Sequence, residues 1–169
     1  MEYLVSELIT LIAGAMPELS VVDEDYGQLE NIDDDTADMY PLTFPAVLIE
    51  TPETVWGDVA DGAQKGTCTL RVRLLIDCYD DTHATGGTLD RAEGRNAMRH
   101  RLHALLQGCR PAGDGALMRT RSRFFTYNHG IKVYEATYTT TCTEAVTERA
   151  TARRPSVAAY VGVRPRGNR

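Results

Sequence analysis

One stretch of this chain alternates so regularly that its local structure follows from the pattern. Between Thr67 and Tyr79 the sequence reads TCTLRVRLLIDCY, with apolar side chains at every second position. This period is typical of a β-strand with one buried and one wetter face, whereas a helix would scatter the same residues around its circumference. Leu75 is the only apolar residue on the predicted wet face. The predicted buried face consists of Cys68, Leu70, Val72, Leu74, Ile76 and Cys78.

Length and composition indicate a single globular domain. The chain has 169 residues, 43% of them hydrophobic and 25% charged, so it can bury roughly 70% of the surface of its unfolded state. We predict one domain over residues 1–148 and a basic, extended or disordered tail over residues 149–169. No apolar run approaches the roughly 20 residues that span a bilayer. The N-terminus lacks the basic segment of a signal peptide, and we therefore expect neither membrane insertion nor export.

The N-terminal half predicts one helix and one short strand before the central strand. An apolar stripe over residues 3–16 predicts an amphipathic helix, which Pro17 ends. Residues 46–50 predict a strand, which Thr51 and Pro52 are expected to break. Residues 53–66 predict a long loop that holds the only tryptophan, Trp56, either as a core residue or as an exposed anchor for a partner.

The C-terminal half predicts a second helix and a β-hairpin. The helix spans residues 89–106, with Thr88 as its N-cap and Gly108 as its C-terminal signal. The hairpin arms, 117–127 and 131–142, flank Asn128-His129-Gly130, which suit a tight turn. We therefore predict an α+β fold, in which two main helices pack on one face of an antiparallel sheet of about four strands, followed by a flexible C-terminal tail.

Charge is distributed unevenly along the chain, whose net charge is −6. Residues 1–60 hold 14 acidic side chains and no Lys or Arg, whereas residues 61–169 hold the other ten acidic and all 18 basic side chains. Such asymmetry favours self-complementary assembly or a tail that binds an acidic partner. The alternative is a solvated acidic loop and a disordered basic tail. In the predicted hairpin, Arg119, Arg121 and Arg123 alternate and are expected to share one face, which is either wet or meets acidic groups.

Residues 23–40 are rich in aspartate and glutamate and predict a loop with little structure of its own. The run Asp33-Asp34-Asp35 offers oxygen ligands of the kind that Ca²⁺ prefers. The spacing lacks the glycine and the distal glutamate of an EF-hand loop, however. A solvated loop, or a loop that docks on arginine side chains, fits the pattern better.

Residue types that carry catalysis or bind metals occur, but they form no recognisable motif. The four cysteines include no Cys-x-x-Cys pair, and we expect no disulfide framework, zinc site or cofactor. His83 lies near Cys78 in sequence, which leaves a small Cys/His-dependent enzyme as an alternative, although Cys78 is predicted on the apolar strand face, where thiols are inert. The basic tail could neutralise phosphates, but it lacks interleaved aromatic residues, and we expect no specific nucleic-acid binding and no enzymatic activity.

The order of these elements resembles the tail terminator, or tail completion, proteins of long-tailed phages and prophages. The resemblance covers residues 1–145 and comprises the N-terminal helix, the FPAVLIE strand, a long loop, the QKGTCTLRVRLLIDCYDD strand, a helix that begins Leu89-Asp90-Arg91, and the hairpin FFTYNHGIKVYEATYTTTCTE. The resemblance lies in pattern and order rather than in signature residues. The segment beyond Glu148 departs from the usual compact form of the family.

The resemblance implies a structural virion protein that forms a ring, typically of six subunits, on the tail tube. Such a ring ends tube polymerisation and joins the tail to the head or neck. Its partners would be copies of itself, the tube protein and the connector proteins, in a particle assembled in the bacterial cytoplasm. A neck or head-closure protein is the alternative in the same class. We expect the subunit or partner interface to include Asp33, Asp34, Asp35, Trp56, Arg119, Arg121 and Arg123.

Overall fold

The structure, a computed structural model, contains two helices and five strands in its described part. The elements in chain order are α1 (Glu2–Ala15), β1 (Val21–Glu24), β2 (Ala46–Asp58), β3 (Ala63–Asp77), α2 (Leu89–Leu106), β4 (Met118–Tyr127) and β5 (Ile131–Ala145). The described residues are 2–34, 40–58, 63–80, 83, 85–111, 115–128 and 130–145. The predicted tail, 149–169, and the predicted domain end at 148 lie outside this part of the chain.

The five strands form one sheet in the order β1-β2-β3-β5-β4. The short β1 runs parallel to β2, and all other neighbours are antiparallel. The long strand predicted at 67–79 is the centre of the sheet, since β3 pairs with β2 on one side and with β5 on the other. The predicted α+β class is therefore confirmed. The strand β1 was not predicted, because the acidic residues around it indicated a loop.

Both helices pack on the same side of the sheet, which we call the helix face. The stripe of α1 places Leu4, Leu8 and Ile12 against this face, and α2 contributes Leu102 and Leu106. From the strands come Val47, Ile49, Cys68, Leu70, Val72, Leu74, Tyr138 and Cys142. The predicted buried face of the central strand is therefore confirmed over Cys68–Leu74. None of the four cysteines, all of which lie among the described residues, forms a disulfide.

We call the other side of the sheet the opposite face. It was predicted to be wet, and at one end of the sheet this prediction is wrong. Leu48, Leu75 and Val133 are fully buried there. They form a second core with Leu29, which belongs to the segment that follows β1, and with half-buried side chains such as Phe44. Residues 25–34 and 40–44 thus act as a lid over one end of the sheet. Leu75 is a core residue of this second layer rather than an exception on a wet face.

The strands on either side of residue 60 are longer than the sequence predicts. Residues 53–58 and 63–66 of the predicted loop instead continue β2 and β3, which pair from Ala46↔Leu75 to Asp58↔Gln64. Thr51 and Pro52 do not end β2, but they coincide with a shift of register between Glu50 and Glu53. Proline has no backbone N–H to donate to a neighbouring strand, so it is tolerated at a sheet edge. Pro52 lies at such an edge, because β1 pairs only with residues 46–49 of β2 and no second described strand borders Pro52.

Helix α2 begins and ends where the sequence places it. Its last residue is Leu106, and Gly108 follows in the left-handed region with φ of 80°, which glycine adopts without steric cost. Thr88 does occupy the N-cap position, but its side chain makes no capping hydrogen bond. The N-terminus is held instead by Asp80, which follows β3 and accepts hydrogen bonds from Arg91 and Arg95.

Candidate functional site

Among the described residues, the segments 25–34 and 40–44 cover one end of the opposite face, and β2, β3 and β5 extend beyond them. The second core lies near one end of the sheet, around Leu48, Leu75 and Val133. Toward the other end the opposite face carries threonines and one exposed valine, with Val55 63% exposed. We call this part, which the described segments 25–34 and 40–44 do not cover, the uncovered face; it includes Glu53, Val55, Thr67, Thr69, Arg121, Thr137, Thr139 and Thr141.

Two strand edges flank the uncovered face. Beyond Ile49 the outer edge of β2 has no strand beside it in the described part of the chain, because β1 pairs only with Ala46–Ile49. The outer edge of β4 likewise has no neighbour among the described strands. Unpaired edges present rows of backbone donors and acceptors, which can pair with another chain.

The predicted row of three arginines on β4 is wrong. A shift of register between Arg119 and Arg121 places Arg119 opposite Tyr138 and Arg121 opposite Thr137. Since Tyr138 and Thr137 are consecutive in β5, their side chains project to opposite faces of the sheet. Arg119 therefore lies on the helix face, whereas Arg121 and Arg123 lie on the opposite face. An irregularity of this kind is invisible to a two-residue period because the extra residue reverses the alternation.

The two arginines that remain on the opposite face differ in their partners. Arg123 donates a hydrogen bond to Glu135 at 3.0 Å and stacks on the ring of Phe125, with 4.7 Å between the guanidinium carbon and the ring centroid. Arg121 is exposed and forms no ion pair within the described residues. Of the predicted row, Arg121 is thus the cation on the uncovered face whose charge no described carboxylate balances.

Part of the uneven charge along the sequence is balanced by ion pairs within the fold. Arg73 pairs with Asp25 and Glu30, Arg71 pairs with Glu50, and Arg101 pairs with Glu18 at 2.7 Å. Each of these ion pairs joins the acidic N-terminal third to the basic remainder. The asymmetry predicted to serve assembly therefore serves folding in part, and fewer charges are left for contact with other molecules.

Arg73 is the most deeply buried of these cations. Its side chain is 5% exposed and that of Asp25 is 4% exposed. Burial alone would lower the pKa of Arg73, but its hydrogen bonds to Glu30 and Asp25 outweigh burial and raise it. The hydrogen bond from Arg73 also lowers the pKa of Glu30. This cluster ties the lid over the second core to the central strand.

The predicted aspartate cluster is only partly described. Asp33 accepts a hydrogen bond from the side chain of Asn128 in the β4–β5 turn. The backbone nitrogen of Asp34 donates to the carbonyl of Asn31 at 3.0 Å, and its side chain is exposed. Asp35 lies outside the described residues. Asp33 thus holds the lid to the turn, which is a contact within the subunit.

Of the two roles that its sequence context left open, the structure shows Trp56 at the edge of the core, and its role as an anchor for a partner stays a prediction. It lies in β2, is half-buried, and packs against the edge of the core on the helix face. Its ladder partner is Gly66, where an added Cβ would come within 2.8 Å of the indole ring. The indole ring therefore lies close against the β3 backbone at Gly66.

The contacts described for the candidate pair Cys78 and His83 join each of them to other residues. The thiol of Cys78 lies 3.6 Å from Asp80, whose carboxylate is engaged by Arg91 and Arg95. The Nδ1 atom of His83 accepts from the backbone of Thr85 at 3.2 Å. His129 lies outside the described residues.

A cavity of about 190 Å³ lies between α2 and strands β4 and β5. Leu102, Val72 and Leu74 line its floor, and Arg99, Arg119 and His103 stand around it. Sequence reasoning missed this cavity. Arg99 and His103 are four residues apart and so share a helix face, but only the register shift in β4 brings Arg119 to the same place.

Comparison with known proteins adds no constraint on this arrangement. No family model matches the chain, and no curated protein matches it. Within the described residues, no group of three or more His, Cys, Asp or Glu side chains is placed to hold a metal ion. None of the described helices is long and apolar enough to cross a membrane.

Proposed function

We propose that this protein is a structural subunit of a phage or prophage virion, which forms a ring on the end of the tail tube. In that role the ring ends tube polymerisation and joins the tail to the head or neck. The observation that carries the proposal is the uncovered face with its two unpaired strand edges in the described part of the sheet. The order of elements, which resembles tail terminator proteins, supports it independently.

A ring requires contacts in which two different surfaces of the subunit meet head to tail and close. The outer edges of β2 and β4 are two such surfaces, since they lie on opposite sides of the uncovered face. Pairing the β2 edge of one copy with the β4 edge of the next would continue the sheet from subunit to subunit. It would also remove the edges that otherwise promote uncontrolled aggregation.

The charges on the uncovered face suit this head-to-tail contact. Glu53 lies on the β2 side and Arg121 on the β4 side. Neither forms an ion pair in the described part of the chain. Within one subunit the two are separated by β3 and β5, which places them about 14 Å apart across the sheet. Between neighbouring copies the same residues would meet directly.

The test is a charge exchange measured by sedimentation velocity and negative-stain electron microscopy of the purified protein. Arg121→Glu and Glu53→Arg should each weaken the ring, because like charges then face each other, and the double variant should restore it. Arg119→Glu is the matched control, since it lies on the same strand but on the helix face. A protein that forms no ring alone or with its tube protein, or a double variant that restores nothing, would contradict this contact.

A further inference from the structure

The α2–β4 cavity has the features of a binding site that the proposed ring does not use. It opens on the helix face between α2 and the outer strand β4. Its floor is formed by core side chains, with Val72, Leu74 and Leu102 between 1% and 6% exposed. Its walls are aromatic, because Tyr134 and Phe124 stack there with 5.0 Å between ring centroids. The site is therefore a concave, apolar pocket with an open mouth.

The volume of the cavity limits what it can hold. At about 190 Å³ it is slightly larger than the engineered apolar cavity of about 150 Å³ that binds benzene. It is smaller than the roughly 300 Å³ at which pockets for drug-sized ligands begin. One aromatic ring or a short aliphatic chain fits, and a nucleotide or a sugar chain does not.

The charged groups at the mouth favour an anion. Arg99 lies over the ring of Tyr134, with 5.7 Å between its guanidinium carbon and the ring centroid. Neither Arg99 nor Arg119 pairs with a carboxylate in the part of the chain that the structure describes. Glu135 is the one acidic residue among the described lining residues, and its side chain lies on the opposite face, where Arg123 engages it. The mouth thus carries two guanidinium groups whose charges no described carboxylate balances.

The polar pair at the base of the cavity does not compete with these arginines. His103 Nδ1 and the hydroxyl of Tyr138 are 2.9 Å apart and share a hydrogen bond. Burial, with a contribution from the charge of Arg119, lowers the pKa of His103, and burial raises the pKa of Tyr138 to about 12. Both groups are neutral near pH 7, so the pair offers hydrogen bonding without a charge of its own.

We propose that the α2–β4 cavity binds a small carboxylic acid with a single apolar ring or a short aliphatic chain. The apolar part lies against Val72, Leu74 and Leu102, and the carboxylate is held by Arg99 and Arg119. Guanidinium groups are suited to this task because they bind carboxylates through two parallel hydrogen bonds. The floor excludes water from the apolar part, and the arginines exclude amines of the same shape.

The experiment is a titration of the purified full-length protein with phenylacetate, followed by calorimetry and by amide chemical shifts. We expect a dissociation constant of about 0.1–1 mM, as suits a ligand of about ten heavy atoms. Benzyl alcohol should bind at least about tenfold more weakly because it lacks the charge-assisted hydrogen bonds. Phenethylamine and acetate should not bind, since the first repels the arginines and the second has no apolar part.

Variants of the lining residues test the role of each part of the cavity. Arg99→Gln and Arg119→Gln should each weaken phenylacetate binding about 5- to 20-fold, which reflects one lost charge-assisted contact at a partly exposed site. Arg121→Gln is the matched control, because it removes a cation from the same strand on the other face and should leave phenylacetate binding unchanged, although it alters the proposed ring contact. Ala136→Leu, which adds volume to the lining, should abolish binding. The two glutamine variants change exposed side chains and keep the test valid if Ala136→Leu does not fold.

Several results would overturn the proposal. Equal affinity for benzyl alcohol and phenylacetate, or equal losses in Arg121→Gln and Arg119→Gln, would show that the arginines do not hold a carboxylate. Absence of binding at about 20 mM phenylacetate, well above the expected dissociation constant, would reject the site. So would a loss of self-association in Ala136→Leu without any binding of the acid, since a second copy would then fill the cavity.

Discussion

Replacing Arg73 by methionine tests whether the buried ion pair holds the lid on the opposite face. Methionine has a similar length and no charge, so the substitution leaves Asp25, whose side chain is 4% exposed, buried beside no cation. Glu30 is 52% exposed and can regain water where it stands. Almost the whole cost therefore arises at Asp25.

Removing one partner of a buried pair typically costs about 3–5 kcal/mol. The lid limits the loss, because residues 25–34 can detach and expose Asp25 to water. Detachment exposes Leu29, which is fully buried, at a cost of about 1.5–3 kcal/mol. We therefore expect Arg73→Met to lower the free energy of unfolding by about 3 kcal/mol, at the lower end of the range for buried pairs.

Urea denaturation followed by the fluorescence of Trp56, the only tryptophan, measures this loss. With a slope of about 2 kcal/mol per molar urea, the midpoint should fall by about 1.5 M. Arg71→Met is the matched control, since Arg71 lies two residues earlier on the same face, pairs with Glu50 and is 37% exposed. Its loss should stay below about 1 kcal/mol, as for surface ion pairs.

A double variant separates charge from packing. Arg73→Met combined with Asp25→Asn removes the unpaired charge and should recover most of the lost stability. Equal losses of under about 1 kcal/mol in Arg73→Met and Arg71→Met would match surface ion pairs rather than a buried one, and would refute the reasoning. In the same way, a double variant as unstable as Arg73→Met would mean that packing, and not charge, holds the lid.

Three further predictions concern the core, pH and the extended strands. Leu74→Asp should prevent folding because it buries an unpaired charge, whereas Leu74→Ala should lose about 2–5 kcal/mol; circular dichroism on heating distinguishes them, and unchanged melting of Leu74→Asp would disprove the assigned face. The lowered pKa of Glu30 contributes stability that is present above the ordinary pKa of 4.5 and is lost as pH falls through the folded value. Wild type should therefore lose more stability than Glu30→Gln between about pH 5 and pH 3 in urea titrations, and parallel curves would exclude this contribution. Gly66→Ala should push the Trp56 ring from the β3 backbone, which shifts its emission maximum and costs about 1–3 kcal/mol; an unchanged emission spectrum would show that the ring lies elsewhere.

Local patterns in the sequence were sufficient for much of the fold. The stripe of α1, the span of α2, the hairpin around Asn128 and the alternation of the central strand all depend on neighbours within a few residues. Propensity and periodicity report such short-range preferences directly. The α+β class followed because these local elements leave few ways to bury their apolar faces.

Only the tertiary structure determined which residues of the opposite face are buried and which are exposed. The alternation predicts that Arg73 is exposed to solvent, but the lid buries it together with Asp25. Leu75 is a core residue for the same reason, because the lid covers it. The burial of one sheet face depends on a segment distant in sequence, which a period of two residues does not encode.

The candidate sites depended on the tertiary structure for the same reason. One shift of register in β4 moved Arg119 away from Arg121 and placed it at the mouth of the cavity. The continuation of β2 past Pro52 created the uncovered face, because pairing with β3 outweighs the local break. A sequence specifies its local conformations residue by residue, whereas the faces that those residues share are set by long-range pairing, where one extra residue reverses every side chain that follows.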